Sequence, residues 1–151
     1  MDAIDRKILS ELQQEARLTV TALADRVQVS LSAGHRRLRE LERSGVIVDY
    51  RAKVDPAMVG LGFRAVLFVT MRDGGSRVLD EFETAVIAVP EVIDAQRLFG
   101  EPDYVLRVVT QDLASYQRLY DTRLSALPGV LRLSSTLVMK EVIRDRPLPL
   151  I

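Results

Sequence analysis

Cysteine is absent from all 151 residues, and histidine occurs once, as His35. The first absence removes disulfides, thiolate metal sites and cysteine nucleophiles together. The second leaves little for a zinc site or a Ser-His-Asp arrangement, so neither a metal ion nor a catalytic residue is expected. No apolar run approaches the roughly 20 residues of a membrane span. The charged start, Asp2, Asp5, Arg6 and Lys7, is unlike a secretory signal, which points to a cytoplasmic protein without a membrane partner. A phosphate-cradling glycine loop is also missing, because Asp73-Gly74-Gly75 and Gly60-Leu61-Gly62 lack the G-x-G-x-x-G spacing. Charge of one sign is lacking too: 21 basic residues face 21 acidic ones. Any surface for a polyanion must therefore be local.

What is present is a folded composition, 48% hydrophobic and 28% charged, in a chain long enough for one good core or two small ones. One local basic surface stands out. Residues 31–43 carry four arginines against two glutamates. Ser30 is placed to cap a helix there, and Gly45 suits the left-handed position beyond its end. Leu31, Gly34, Leu38 and Leu41 recur at spacings of three and four and form an inward face, leaving Ser32, His35, Arg36 and Arg39 on another. Guanidinium forks suit phosphates and the guanine edge, and serine hydroxyls suit phosphates or bases. By itself such a face can equally be an ordinary solvated one, and His35 either a solvated position or a base or phosphate contact strengthened by protonation.

The preceding residues favour DNA. Asp2 caps a first helix with Ile4, Ile8, Leu9 and Leu12 on one stripe, and Thr19 caps a second with Leu23, Ala24 and Val27 inward. Three short helices with a tight turn between the last two make a helix-turn-helix over residues 1–48. Val46 to Val54 is β-branched, partly alternating and expected as a strand that runs from the end of this domain into a hinge spanning 49–62. Residues 63–151 then read as strand Phe63 to Met71, helix Ser76 to Val89, strand Val92 to Phe99, strand Tyr104 to Thr110, helix Asp112 to Ala126 and strand Val130 to Val142. Ala88-Val89-Pro90-Glu91-Val92-Ile93 is echoed by Ala126-Leu127-Pro128-Gly129-Val130-Leu131, as two βαβ halves require. The expected fold class is α+β: a winged helix-turn-helix followed by a ferredoxin-like βαββαβ domain.

Asp2-Ala3-Ile4-Asp5-Arg6-Lys7-Ile8-Leu9, Ala16-Arg17-Leu18-Thr19, Val29-Ser30-Leu31-Ser32, Arg36-Arg37-Leu38, Gly45-Val46-Ile47, Val54-Asp55-Pro56 and Gly100-Glu101-Pro102-Asp103-Tyr104, in this order, resemble the Lrp/AsnC transcription regulators. The resemblance implies a DNA-binding domain joined to a ligand-sensing RAM domain, with no cofactor but an amino-acid effector. It also implies homodimers assembling to tetramers or octamers on a pseudo-palindromic operator, at the nucleoid. Carried over, Thr19, Ser30, Ser32, Ala33, His35, Arg36, Arg37 and Arg39 would meet DNA, while Gly100, Glu101, Pro102, Asp103 and Tyr104, with Ser135 and Thr136, would lie near the effector. Residues 100–103 read equally as a simple hairpin turn. Two positions depart from the pattern. Gln28 stands where glycine usually makes the turn, and Gly34 replaces a valine-like residue, with a small gap and a helix-propensity cost of about 1 kcal/mol expected. A DNA-wrapping protein without an effector would fit the same helices and sheet; an enzyme fits poorly.

Overall fold

The computed structural model describes residues 1–150. It divides into two units, residues 1–52 together with 142–150, and residues 53–141.

The first unit holds α1 (Ala3–Gln14), α2 (Val20–Val27) and α3 (Leu31–Arg43). Each begins at the residue the sequence marks as its cap. The Asp2 carboxylate accepts the N–H groups of Ile4 and Asp5, both at 2.9 Å, and the Asp5 carboxylate accepts that of Asp2, a reciprocal capping box. Thr19 Oγ1 accepts the Ala22 N–H at 3.2 Å, and Ser30 Oγ that of Ala33 at 3.3 Å. Gln28 does make the turn after α2 in the left-handed region, at φ 59°. Gly45, at φ 74°, follows α3.

Ile8, Leu9, Leu12, Leu23, Val27 and Leu41 form the core of this unit, with Ile4, Leu18, Leu38 and Leu150 packed against it. Arg26 reaches from α2 to Glu11 on α1 and to Glu15 just past its end, at 3.0 and 2.9 Å. Gly34 is buried, but no gap lies beside it. A Cβ built there would stand 3.1 Å from the Cβ of Ala24 on α2, so the missing side chain lets the two helices approach closely. Leu31 differs from its expected inward role and is 46% exposed. It sits in the first turn of α3, outside the cluster that buries Leu38 and Leu41.

Two further differences concern strands and boundaries. Val46 to Val54 forms no strand, and Val48 is 87% exposed. β-branched residues favour an extended chain, yet a strand exists only where another backbone pairs with its N–H and C=O groups. The last strand stops at Leu137 rather than Val142, and residues 142–150 group with the helical unit. There the Gln13 side-chain amide receives the Leu148 N–H at 2.6 Å and donates to the Leu148 carbonyl at 3.3 Å.

The second unit comprises β1 (Phe63–Met71), α4 (Ser76–Ile87), β2 (Val92–Arg97), β3 (Tyr104–Thr110), α5 (Leu113–Leu119, extended by a π-helical turn over Tyr120–Leu124) and β4 (Val130–Leu137). The strands form one antiparallel sheet in the order β2-β3-β1-β4, the ferredoxin-like arrangement expected from βαββαβ. Alternation sends Ala65, Leu67, Val69 and Met71 of β1, with Tyr104, Leu106 and Val108 of β3, towards the helices, where Phe82, Val86, Tyr116 and Leu119 complete the core. The intervening residues, Val66, Phe68 and Thr70 on β1 and Arg132, Ser134 and Thr136 opposite them on β4, occupy the other face. Gly129 opens β4 at φ 72°, and a Cβ there would stand 2.3 Å from Val78 Cγ1, so only glycine fits.

Candidate DNA interface and ligand pocket

On α3, Ser32, His35, Arg36 and Arg39 follow one another at intervals of three, one and three, so they form a single stripe, and all four are exposed. Arg36 and Arg39 have no hydrogen bond or ion pair among the described residues. Arg43, one turn further, is held by Glu40 through two contacts, at 2.7 and 3.1 Å, which also lower the Glu40 carboxyl from its ordinary value. The unneutralised positive charge of the helix is thus concentrated on Arg36 and Arg39. Leu31, whose spacing predicts an inward position, is exposed and adds an apolar group beside Ser32. Ser30 and Thr19 are exposed, but their hydroxyl oxygens serve as helix caps; Ala33 is half-buried.

Arg37 is not part of this stripe. Its Nη1 donates to Asp2 Oδ2 and Asp5 Oδ1, each at 2.7 Å, and its side chain is 21% exposed. The sequence carried the signal: Arg37 lies three residues after Gly34 and four before Leu41, on the inward stripe. It ties α3 to the capping box of α1. The Asp2 carboxyl is lowered from its ordinary value of 3.8, first by the Asp5 N–H and then by Arg37. A carboxylate lowered in the folded state stabilises the fold above its unfolded pKa and loses that contribution as pH falls through the folded value. Asp2→Asn, which keeps a cap but removes the charge, should therefore melt below the wild type at pH 7, with a smaller difference at about pH 2. Thermal melts at both pH values check this, and a constant difference contradicts the role given to the charge.

In the second unit the expected effector residues divide between two faces of the sheet. Glu101 and Pro102, in a loop whose Glu101–Pro102 peptide is cis, border a cavity of about 480 Å³ with Phe68, Thr70, Arg132 and Ser134. Asp103 is committed to the loop itself: its carboxylate accepts the Met71 N–H at 2.7 Å, and its N–H donates to the Val69 carbonyl at 2.9 Å. Gly100, at φ 129°, shapes the same turn. Tyr104 points to the helix side, where its hydroxyl donates to Glu83 at 2.7 Å. Burial, and then that contact, push the phenol up to about 12. Ser135 also faces the helices and meets the Tyr116 hydroxyl at 2.6 Å, whereas Thr136 shares the open face opposite Val66. Ser135 and Thr136 cannot share a site, because neighbours on a strand point to opposite faces. Arg132 and Ser134, two residues apart, do share one, and the alternation of β4 could have identified them. Arg132 and Glu101 form no hydrogen bond or ion pair among the described residues, so an anionic and a cationic group line this cavity unpaired. No group of three or more His, Cys, Asp or Glu residues placed to hold a metal is found among the described residues, and no helix is long and apolar enough to cross a membrane.

The same two units are found in known proteins. Residues 1–48 match the winged helix-turn-helix DNA-binding family model, and residues 64–148 match that of the Lrp/AsnC ligand binding domain. The proline dehydrogenase transcriptional activator of Rhodobacter capsulatus is 38% identical, over 96% of this chain and 94% of that protein. The DNA-binding transcriptional activator DecR of Escherichia coli is 33% identical over 99% of both. Among solved structures, a transcriptional regulator of Neisseria meningitidis in complex with L-methionine superposes with a TM-score of 0.94, at 35% identity, over 99% of this chain and 97% of that one. With its DNA-binding and ligand-binding units both matched along nearly the whole length, the chain belongs to the Lrp/AsnC family of effector-responsive transcription regulators, which are not enzymes.

Proposed function

We propose that this regulator reads its operator with the α3 stripe and senses an amino acid through the cavity beside Glu101. The carrying observation is the exposed stripe Ser32, His35, Arg36 and Arg39, whose arginines have no hydrogen bond or ion pair among the described residues. Arg36 and Arg39 supply the bidentate and phosphate contacts, Ser32 and His35 polar ones, and Leu31 an apolar contact suited to a thymine methyl. Ser30 and Thr19 act at helix starts, where free N–H groups favour phosphate oxygens. Ala33 allows close approach, and Arg37 holds α3 in place rather than touching DNA.

Two copies presenting α3 with two-fold symmetry would meet a pseudo-palindromic operator with half-sites about one helical turn, or a multiple of it, apart. The exposed apolar segment Val46 to Val54 and the open sheet face bearing Val66 and Phe68 suit pairing with a second copy, and further assembly to tetramers or octamers follows the family. Such a protein acts in the cytoplasm, on the nucleoid. In the cavity, Glu101 would accept the effector's ammonium group, Arg132 would hold its carboxylate and Ser134 would add a hydroxyl. Calorimetric titration with L-methionine and other amino acids, with light scattering in parallel, tests this. Arg132→Ala should weaken binding about tenfold or more and remove any effector-dependent change in size, while Ser135→Ala leaves both intact. Unchanged binding by Arg132→Ala, or equal losses in the two variants, contradicts the assignment.

A further inference from the structure

Tyr104 belongs to the stretch that resembles the family's effector loop, yet its side chain opens on the opposite side of the sheet, into a separate cavity of about 280 Å³ between α4 and β2. Phe82, Val86 and Ile87 of α4 and Ala95 of β2 give this cavity an apolar wall. At its polar end stand Glu83, Arg97 and the Tyr104 hydroxyl. Arg97 and Tyr104 are direct partners across β2 and β3, which brings both side chains to the helix face.

The charges are arranged for a ligand with two poles. Tyr104 and Arg97 both approach the same oxygen of Glu83, Oε1, at 2.7 and 3.9 Å. The other carboxylate oxygen is left to accept a further donor. The Arg97 guanidinium is too far from Glu83 for a hydrogen bond, so its donors are open to an incoming carboxylate. A cationic group at Glu83, an anionic one at Arg97 and an aliphatic chain against Val86, Ile87 and Ala95 describe a zwitterionic α-amino acid with an apolar side chain. The volume is below the range of about 300–1,000 Å³ usual for drug-sized ligands, as suits one small metabolite.

We infer that this α4–β2 cavity is a second binding site for an aliphatic α-amino acid, on the opposite sheet face from the Glu101–Arg132 cavity. The inference draws its ligand class from the charges just described and adds to the effector reading above without using its residues. Isothermal titration of the full-length protein with L-leucine and L-methionine tests it, with N-acetyl-L-leucine and L-leucinol as probes lacking the ammonium and the carboxylate. Wild type should bind at two sites per chain and Arg132→Ala at one. Adding Glu83→Gln, which retains an acceptor for Tyr104, or Arg97→Gln should weaken the remaining site about tenfold or more, and neither analogue should bind there. Amide chemical shifts at Ala95 and Ile87 should move with L-leucine in Arg132→Ala. Loss of all binding in Arg132→Ala overturns the second site. So does binding in that variant that is indifferent to Glu83→Gln and Arg97→Gln. Binding that survives Arg132→Ala unchanged and vanishes in Glu83→Gln supports the second site and overturns the first, while silence of wild type to every probe overturns both.

Discussion

Arg36→Ala and Arg39→Ala are each expected to weaken operator binding by about five- to 150-fold if the guanidinium reads a base, the equivalent of about 1–3 kcal/mol. Both side chains lie on the exposed stripe of α3 and have no hydrogen bond or ion pair among the described residues, so their removal should leave the fold intact. The two kinds of contact separate by salt dependence. Loss of a phosphate contact weakens binding to all sequences about equally and lowers the slope of log K against log salt by about 1, while loss of a base contact relaxes preference at one position of each half-site. Arg37→Ala should behave differently. It releases Asp2 and Asp5, so it lowers the melting temperature of the helical unit while the folded protein keeps its sequence preference. Fluorescence anisotropy over a salt series, beside thermal melts, checks all three. Arginines 36 and 39 that can be removed without loss of affinity, or an Arg37 variant that melts normally but loses specificity, contradict the assignment of roles.

Gly34→Val is expected to destabilise the helical unit by about 1–3 kcal/mol, the usual cost of forcing extra methyl groups into a packed interface. The first added carbon already stands 3.1 Å from the Ala24 Cβ and 3.7 Å from Val20 Cγ1. Ala24 Cβ is fixed to the backbone of α2, so relief requires the helix itself to move. Gly34→Ala has an opposing gain of about 1 kcal/mol in helix propensity, and should fall within about 1 kcal/mol of wild type. Ala24→Gly introduced with Gly34→Val should recover part of the loss, a coupling that a double-mutant cycle measures. Each kcal/mol corresponds to roughly 4–8 °C in melting temperature for a unit of this size. A Gly34→Val protein as stable as wild type means that α2 and α3 are not in close contact there.

Local signals in the sequence proved reliable where the determinants are local. Asp2, Thr19 and Ser30 cap the helices they were expected to cap, Gln28 adopts the left-handed turn, and β3 runs from Tyr104 to Thr110 as its apolar pattern indicates. What was harder to read depends on partners distant in the chain. Val46 to Val54 has strand-forming residues but no strand beside it. Arg37 looks like its neighbours until Asp2 and Asp5, 35 and 32 residues away, are folded against it. The return of residues 142–150 to the helical unit rests on contacts such as Gln13 with Leu148, 135 residues apart. Other signals are local and lie in the sequence itself. Period-two alternation separates Ser134 from Ser135, and helical spacing puts Arg37 on the stripe of Gly34 and Leu41.

A regulator that reads DNA through Arg36 and Arg39 and answers to an amino acid leaves a definite signature in genome-wide footprinting. Wild type and the Arg36→Ala/Arg39→Ala variant would be compared with and without L-methionine and L-leucine. Wild type should protect a limited set of two-fold-related sites whose occupancy or extent shifts with one of the amino acids, and the double variant should leave those sites open. Broad protection without symmetry, unchanged by any amino acid and retained by the double variant, would contradict the account and favour a DNA-wrapping protein without an effector.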